Sequence, residues 1–154
     1  MRLSRKSDYA LRALFDLAEN FGTGPISIRQ LAERNDIPRR FLEQIMIDLR
    51  ISGWVNSIAG RDGGFELAVA PEKLTMGQVV RKFDGLLAPI GCVSASAYEP
   101  CTQERSCRFR RVLLEIRNYT TRLMDKASLA TVMLGKPVLK EEVFEATYLA
   151  GEGI

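Results

Sequence analysis

The chain has 154 residues, the length of one ordinary domain. Hydrophobic residues make up 46% and charged residues 27% of it, a balance that suits a packed core and argues against a disordered chain. No apolar run approaches the ~20 residues of a membrane span, and the basic start has no apolar stretch behind it, so a cytoplasmic protein without a signal peptide or membrane segment is expected.

Residues 7–21 read as a helix, because Tyr9, Ala10, Ala13, Leu14, Leu17, Ala18 and Phe21 recur at spacings of three and four. Ser7 suits its cap and Asp8 its positive end, and Gly22-Thr23-Gly24-Pro25 ends it. Ser27 and Gln30 have the spacing of a capping box and open a short helix to about Arg34. Asn35-Asp36-Ile37 reads as a tight turn with Asn35 in the left-handed region and Ile37 plugged between two helices. Pro38 suits the first turn of the next helix, which runs through Phe41, Leu42, Ile45, Met46 and Leu49. Helix, short turn, helix is the helix-turn-helix pattern.

Trp54–Ile58 and Phe65–Val69 alternate and are β-prone, with Gly60-Arg61-Asp62-Gly63-Gly64 between them. They predict a β-hairpin, the wing of a winged helix. The glycine-rich tip has neither Walker spacing nor a following helix, so it is not a nucleotide loop. Thr75 and Gln78 form a second capping box, opening a helix that ends at Asp84-Gly85. A polar loop follows. A long helix is then expected from Ser106 or Cys107 to about Leu134, roughly 28 residues or ~42 Å, with a seam that includes Phe109, Val112, Ile116, Tyr119 and Leu123. A helix that long suits dimerisation, the alternative being that it packs back on its own domain. The expected fold is mainly α with a small β-hairpin. Residues 1–85 form a winged helix-turn-helix, 86–106 a loop, 107–135 a dimerisation helix and 136–154 a tail.

In such a fold the second helix of the motif enters the major groove of double-stranded DNA. Arg39, Arg40, Glu43 and Gln44 are the candidate base readers: arginine suits guanine, glutamine adenine, and glutamate the cytosine amino group. Arg2, Arg5, Lys6 and Arg50 read as phosphate contacts, and Arg61 at the wing tip as a minor-groove contact. Ser27, at the head of the first helix of the motif, is counted with this DNA-facing set. The bland alternative for each is a solvated surface, since the net charge is only +3.

Cys92, Cys101 and Cys107 are the only cysteines, and they fall within sixteen positions of a chain that has no histidine. An odd count disfavours a closed disulfide framework. Three thiolates suit an iron–sulfur cluster or zinc, and can also act as bare redox thiols. The absence of histidine, of a nucleophile–base pair and of a nucleotide loop argues against an enzyme.

Taken together, Met1-Arg2-Leu3-Ser4, Asp8 to Arg12, Ile28 to Ala32, Phe41 to Ile45, Gly60 to Phe65, Met76 to Val80 and the three cysteines resemble a family. These are the dimeric bacterial winged-helix regulators that include the iron–sulfur regulator IscR, the nitric oxide sensor NsrR and the iron regulator RirA. The resemblance covers roughly residues 1–135. It implies a homodimer on a palindromic operator, with a cluster (2Fe–2S or 4Fe–4S) whose state changes DNA binding, most often as a repressor. It maps the cluster ligands onto Cys92, Cys101 and Cys107, and Glu43 onto the position implicated in base discrimination. There are departures. Ala59 stands where IscR-like members have an arginine, eight residues separate Cys92 from Cys101, and Arg110 replaces the histidine that serves IscR-type members as fourth ligand. NsrR-like members use an aspartate from the other subunit, a position that Asp8 matches. The resemblance therefore implies Asp8 as fourth ligand, against an alternative in which a thiol- or partner-regulated DNA-binding protein holds no cluster.

Overall fold

The computed structural model describes residues 2–85 and 87–143. Helix α1 (Arg5–Glu19) starts two residues before the expected position, because the Ser4 side chain, not that of Ser7, caps it and accepts from the Ser7 amide at 3.1 Å. Ser7 shares the spacing of Ala10, Leu11 and Leu14 and is buried with them. Helix α1 is the centre of the core, and every other large helix except α5 packs on it.

The capping box of Ser27 and Gln30 opens α2 (Ile28–Asn35) as expected. Asn35 is its last residue and does not take the left-handed conformation; Asp36 does, with φ 51°. The cause is local: the Asn35 amide donates to the Leu31 carbonyl at 2.9 Å and to Asp16 at 3.0 Å, which holds it helical and ties α2 to α1. Ile37 is buried, and its amide donates back to the Ala32 carbonyl. Pro38 caps α3 (Arg39–Ile51), where the absence of an amide proton costs nothing. Leu42, Ile45, Met46 and Leu49 form the buried stripe of α3.

Strands β1 (Val55–Ile58) and β2 (Gly64–Leu67) pair antiparallel, with Val55 opposite Leu67 and Ile58 opposite Gly64. Both are shorter than the alternation suggests. The free edge of β2 is covered by Ile26, which exchanges two backbone hydrogen bonds of 2.8 Å with Phe65 and so binds the wing to the segment before α2. A Cβ at Gly64 would run into the Ile26 backbone, and this close approach is why glycine stands there. Helix α4 (Met76–Asp84) carries the second capping box.

The long helix is not continuous. Helix α5 (Arg110–Lys126) has 17 residues, about 25 Å at 1.5 Å per residue, and is followed by a separate short α6 (Leu129–Met133). The break lies at Ala127 and Ser128. The Ala127 carbonyl accepts from the Met76 amide and the Leu129 amide donates to the Leu74 carbonyl, each at 2.9 Å, so tertiary partners replace two helical ones. Ser128 then caps α6, accepting from Thr131, and Leu129 is fully buried. Residues before Arg110 are turns, so the expected helix also starts late. Part of the expected tail forms a short helix, α7 (Lys140–Val143), and the rest, from residue 144 on, lies outside the described residues.

Gly64→Ala tests the close approach of wing and core. The expected cost is about 1–3 kcal/mol from forced backbone displacement, read as a lower urea midpoint with an unchanged slope.

Candidate nucleic-acid interface and thiol pocket

Helix α3 has two faces. Opposite its buried stripe lie Arg39, Arg40, Gln44 and Arg50, all exposed, with Glu43 half-exposed beside them. Burial of Leu42, Ile45, Met46 and Leu49 forces these residues outward, so five residues singled out in the sequence share one solvent face. Arg39 and Glu43 form an ion pair of 3.0 Å one helical turn apart. An exposed pair of this kind contributes only ~0.3–0.5 kcal/mol, so it opens readily when a better partner arrives. Arg40, Gln44 and Arg50 have no side-chain hydrogen bond or ion pair among the described residues. Ile47 and Ile51 are exposed on the same face, Ile51 to 72%. The sequence reading passed over both. Their signal was available: they fall outside the spacing of the buried stripe.

The remaining basic residues differ in how free they are. Arg2 and Arg5 are exposed at the start of α1, and Arg61 is exposed at the wing tip. Lys6 is engaged, paired with Asp48 of α3 at 2.7 Å and lying over the Phe83 ring, so its charge is partly met within the chain. The Ser27 hydroxyl donates to Gln30 Oε1 at 2.8 Å, and its oxygen accepts from the Gln30 amide while Gln30 Oε1 accepts from the Ser27 amide, which closes the capping box. Asp8 pairs with Arg12 at 2.8 Å, both half-exposed on α1, and Arg12 also reaches the Asn35 carbonyl.

The cysteine loop is built around a short 3-10 turn, Gly91–Val93, that packs on α5. Cys92 is buried, Cys107 half-buried and Cys101 exposed, and none is in a disulfide. All three line one cavity of about 470 Å³, together with Ile90, Phe109 and Arg110. Arg110 holds the loop: its Nε and Nη2 donate to the Cys92 carbonyl at 3.2 and 2.7 Å. The residue that stands in place of a histidine ligand thus serves as a backbone clamp. Glu104 organises the other side. It accepts from the Tyr98 hydroxyl at 2.6 Å and from the Cys101 amide at 3.0 Å, and lies 3.5 Å from Arg110. The hydrogen bond from Tyr98, followed by that from the Cys101 amide, holds the Glu104 carboxyl below its ordinary range. The same bond to Glu104, aided by burial, raises the Tyr98 phenol above its ordinary value. A depressed carboxyl is stabilising above its ordinary range, and that contribution is lost only as pH falls through the lowered value. The bracing is therefore intact at neutral pH. Sequence reasoning missed Tyr98 and Glu104, because their partnership depends on how the loop folds.

The donor set does not fit a single metal ion within one chain. No group of three or more cysteine or acidic residues converges closely enough among the described residues. Glu104, the carboxylate that lines the cavity with the thiols, is occupied by Tyr98, Cys101 and Arg110.

The burial order predicts thiol reactivity. With the reduced, folded chain, Cys101 is expected to react first with a maleimide, Cys107 next and Cys92 last, as followed by peptide mass spectrometry. Cys92 labelling ahead of Cys101 would contradict the clamp on its backbone.

The family model "Rrf2: Iron-dependent Transcriptional regulator" matches residues 3–134. An rrf2-like HTH-type transcriptional regulator of Rhodobacter capsulatus is 39% identical over 145 residues, covering 90% of this chain and 97% of that protein. The solved structure of CymR, the global cysteine regulator of B. subtilis, superposes with a TM-score of 0.77 at 28% identity, covering 89% of this chain and 99% of that one. The structure of T. potens IscR superposes with a TM-score of 0.68 at 26% identity, covering 96% and 91%. No described helix is long and apolar enough to cross a membrane. With the match extending through the winged helix, the cysteine loop and α5, the chain belongs to the Rrf2 family and is a DNA-binding transcriptional regulator.

Proposed function

We propose that this protein binds a two-fold-symmetric operator as a homodimer, most often to repress, and that its cysteine loop is the input, read through the thiols themselves or through a docking partner. The observation that carries the DNA reading is the single solvent face of α3, where Arg39, Arg40, Glu43, Gln44 and Arg50 stand opposite the buried stripe. In this reading Arg40 and Gln44 meet base edges directly, while Arg39 and Glu43 do so after their pair opens. Exposed Ile47 adds apolar contact, which suits a thymine methyl. Arg2, Arg5, Lys6 and Arg50 meet phosphates, Arg61 extends the wing, and Ser27 presents the head of α2.

Dimerisation through α5 is supported by its outward seam. Phe109 caps the helix, and Val112, Ile116, Tyr119 and Leu123 follow at spacings of three and four; all five are exposed, Tyr119 to 64%. A contiguous apolar stripe of that length on a single chain suits burial against a second copy. The shorter α5 still offers nearly five turns.

For the input, direct thiol chemistry has the better support. The thiols differ in exposure, side-chain hydrogen bonds from Arg110 and to Glu104 brace the loop, and no donor set converges on one ion among the described residues. The second reading, an iron–sulfur cluster, is favoured by one observation: all three cysteines line the same cavity. It requires a fourth ligand, and Asp8 of a second subunit could supply it only by leaving Arg12.

Selection from a random duplex pool is expected to enrich a palindrome. Arg40→Ala and Gln44→Ala should each lose about 1–3 kcal/mol of discrimination at one position per half-site, while Arg50→Ala should lower the salt slope by about one. Anaerobic protein given iron and sulfide separates the inputs. Thiol regulation predicts colourless protein whose operator affinity falls on diamide treatment and is restored by reductant. A stable visible chromophore that changes operator affinity would overturn it in favour of the cluster.

A further inference from the structure

We infer that a second cavity, between the cysteine loop and the inner face of α5, binds a small organic anion carrying a carboxylate or phosphate group. The cavity has a volume of about 380 Å³, within the range of small-molecule sites. Arg110, Arg111 and Arg117 line it, with Glu104 as the only carboxylate in its wall. Glu104 and Arg110 largely answer one another, and the Arg110 fork is already committed to the Cys92 carbonyl. Arg111 and Arg117 have no ion-pair partner among the described residues, so the cavity retains uncompensated positive charge.

Arg117 carries the sharper signal. Its Nε is buried from solvent and has no hydrogen-bond partner among the described residues. Buried donors in folded proteins are almost always satisfied, and a guanidinium edge is shaped for two oxygens of a carboxylate or phosphate. Arg117 lines the cavity, so an anion beside its guanidinium neutralises the excess charge, and a small turn of the side chain brings Nε to the missing acceptor. The Tyr98 hydroxyl proton is committed to Glu104, whereas the Ser94 hydroxyl accepts from the Ala97 amide and keeps its own proton for such a ligand.

Helix geometry keeps this cavity separate from the proposed dimer seam. Arg110, Leu114 and Arg117 recur at spacings of four and three on the face of α5 opposite Val112, Ile116, Tyr119 and Leu123. A second copy laid on the seam therefore leaves the cavity open. Cys92 and Cys107 also line it, so an occupant sits against two of the three thiols and can alter their reactivity. Only this last coupling rests on the thiol reading; the anion site itself does not.

Succinate and inorganic phosphate, each titrated at constant ionic strength into the reduced full chain, distinguish the two anion types by calorimetry and thermal shift. At least one is expected to bind with a dissociation constant near or below about 1 mM, with chloride inert. Arg117→Met should weaken binding about tenfold or more and Arg117→Lys less, because lysine keeps the charge but loses the fork. Arg111→Ala, at an exposed position, should weaken it several-fold and decides the matter if Arg117→Met does not fold. Cys107→Ser should still bind. Absence of binding by both anions at about 10 mM, or equal binding by the folded arginine variants, would overturn the site. Loss of binding in Cys107→Ser alone would also overturn it, since the thiol and not the guanidinium would then hold the ligand. Operator affinity under diamide, measured separately, reports on the thiol reading whatever the outcome here.

Discussion

Two backbone hydrogen bonds govern how this molecule is arranged. The Met76 amide to the Ala127 carbonyl and the Leu129 amide to the Leu74 carbonyl stitch the end of α5 to the start of α4. Because the Leu129 amide has one proton to donate, its bond to Leu74 cannot coexist with the bond that a continuous helix through Ala127 and Ser128 needs from it. The stitch therefore sets the length of α5, lets Leu129 enter the core, and fixes the rotation of α5 relative to the DNA-binding half. Gly77 lets the two helices approach closely, with Asp125 packed where a side chain would stand, and Arg81 pairs with that aspartate at 2.6 Å.

Once the rotation of α5 is fixed, its two faces acquire separate uses. The outward face is apolar and exposed. The inward face carries arginines, and one of them clamps the Cys92 carbonyl. The thiol loop is thus anchored to the same helix that carries the exposed apolar seam. A change at the thiols that displaces Arg110 or Glu104 would be felt on α5, and from there through the stitch at α4, which packs on α1. This is a physically continuous route between the loop and the DNA-binding half, and a switch along it needs two arrangements of the loop.

The DNA-facing side shows a different economy. The charged face of α3 is defined negatively, by four buried residues that leave the other side free. Its charges are partly paired within the chain, Arg39 with Glu43 and Lys6 with Asp48. Such surface pairs are weak, and exchanging them for phosphates or bases costs little.

Much of this was legible in the sequence. The capping boxes at Ser27 and Thr75, the two helices of the motif and the β-hairpin all rest on short-range chemistry, and the structure has them where their residues point. Near misses were also local: Ser4 displaced Ser7 as a cap, and Asp36 displaced Asn35 in the left-handed turn, because neighbours captured the competing side chains. The break in the long helix was not legible. Residues 107–134 keep helical spacing throughout, and only the backbone of a segment fifty residues earlier interrupts it. The same holds for the site. Three clustered cysteines announce themselves by composition, but which is buried, what Arg110 does, and how Tyr98 joins Glu104 depend on the loop closing over α5. The sequence by itself determined the local elements and the family, since caps, turns and apolar periodicity act over a few residues. Only the tertiary structure decided where the helix breaks, which face of α5 is free and how the thiols are held, since those depend on partners distant along the chain.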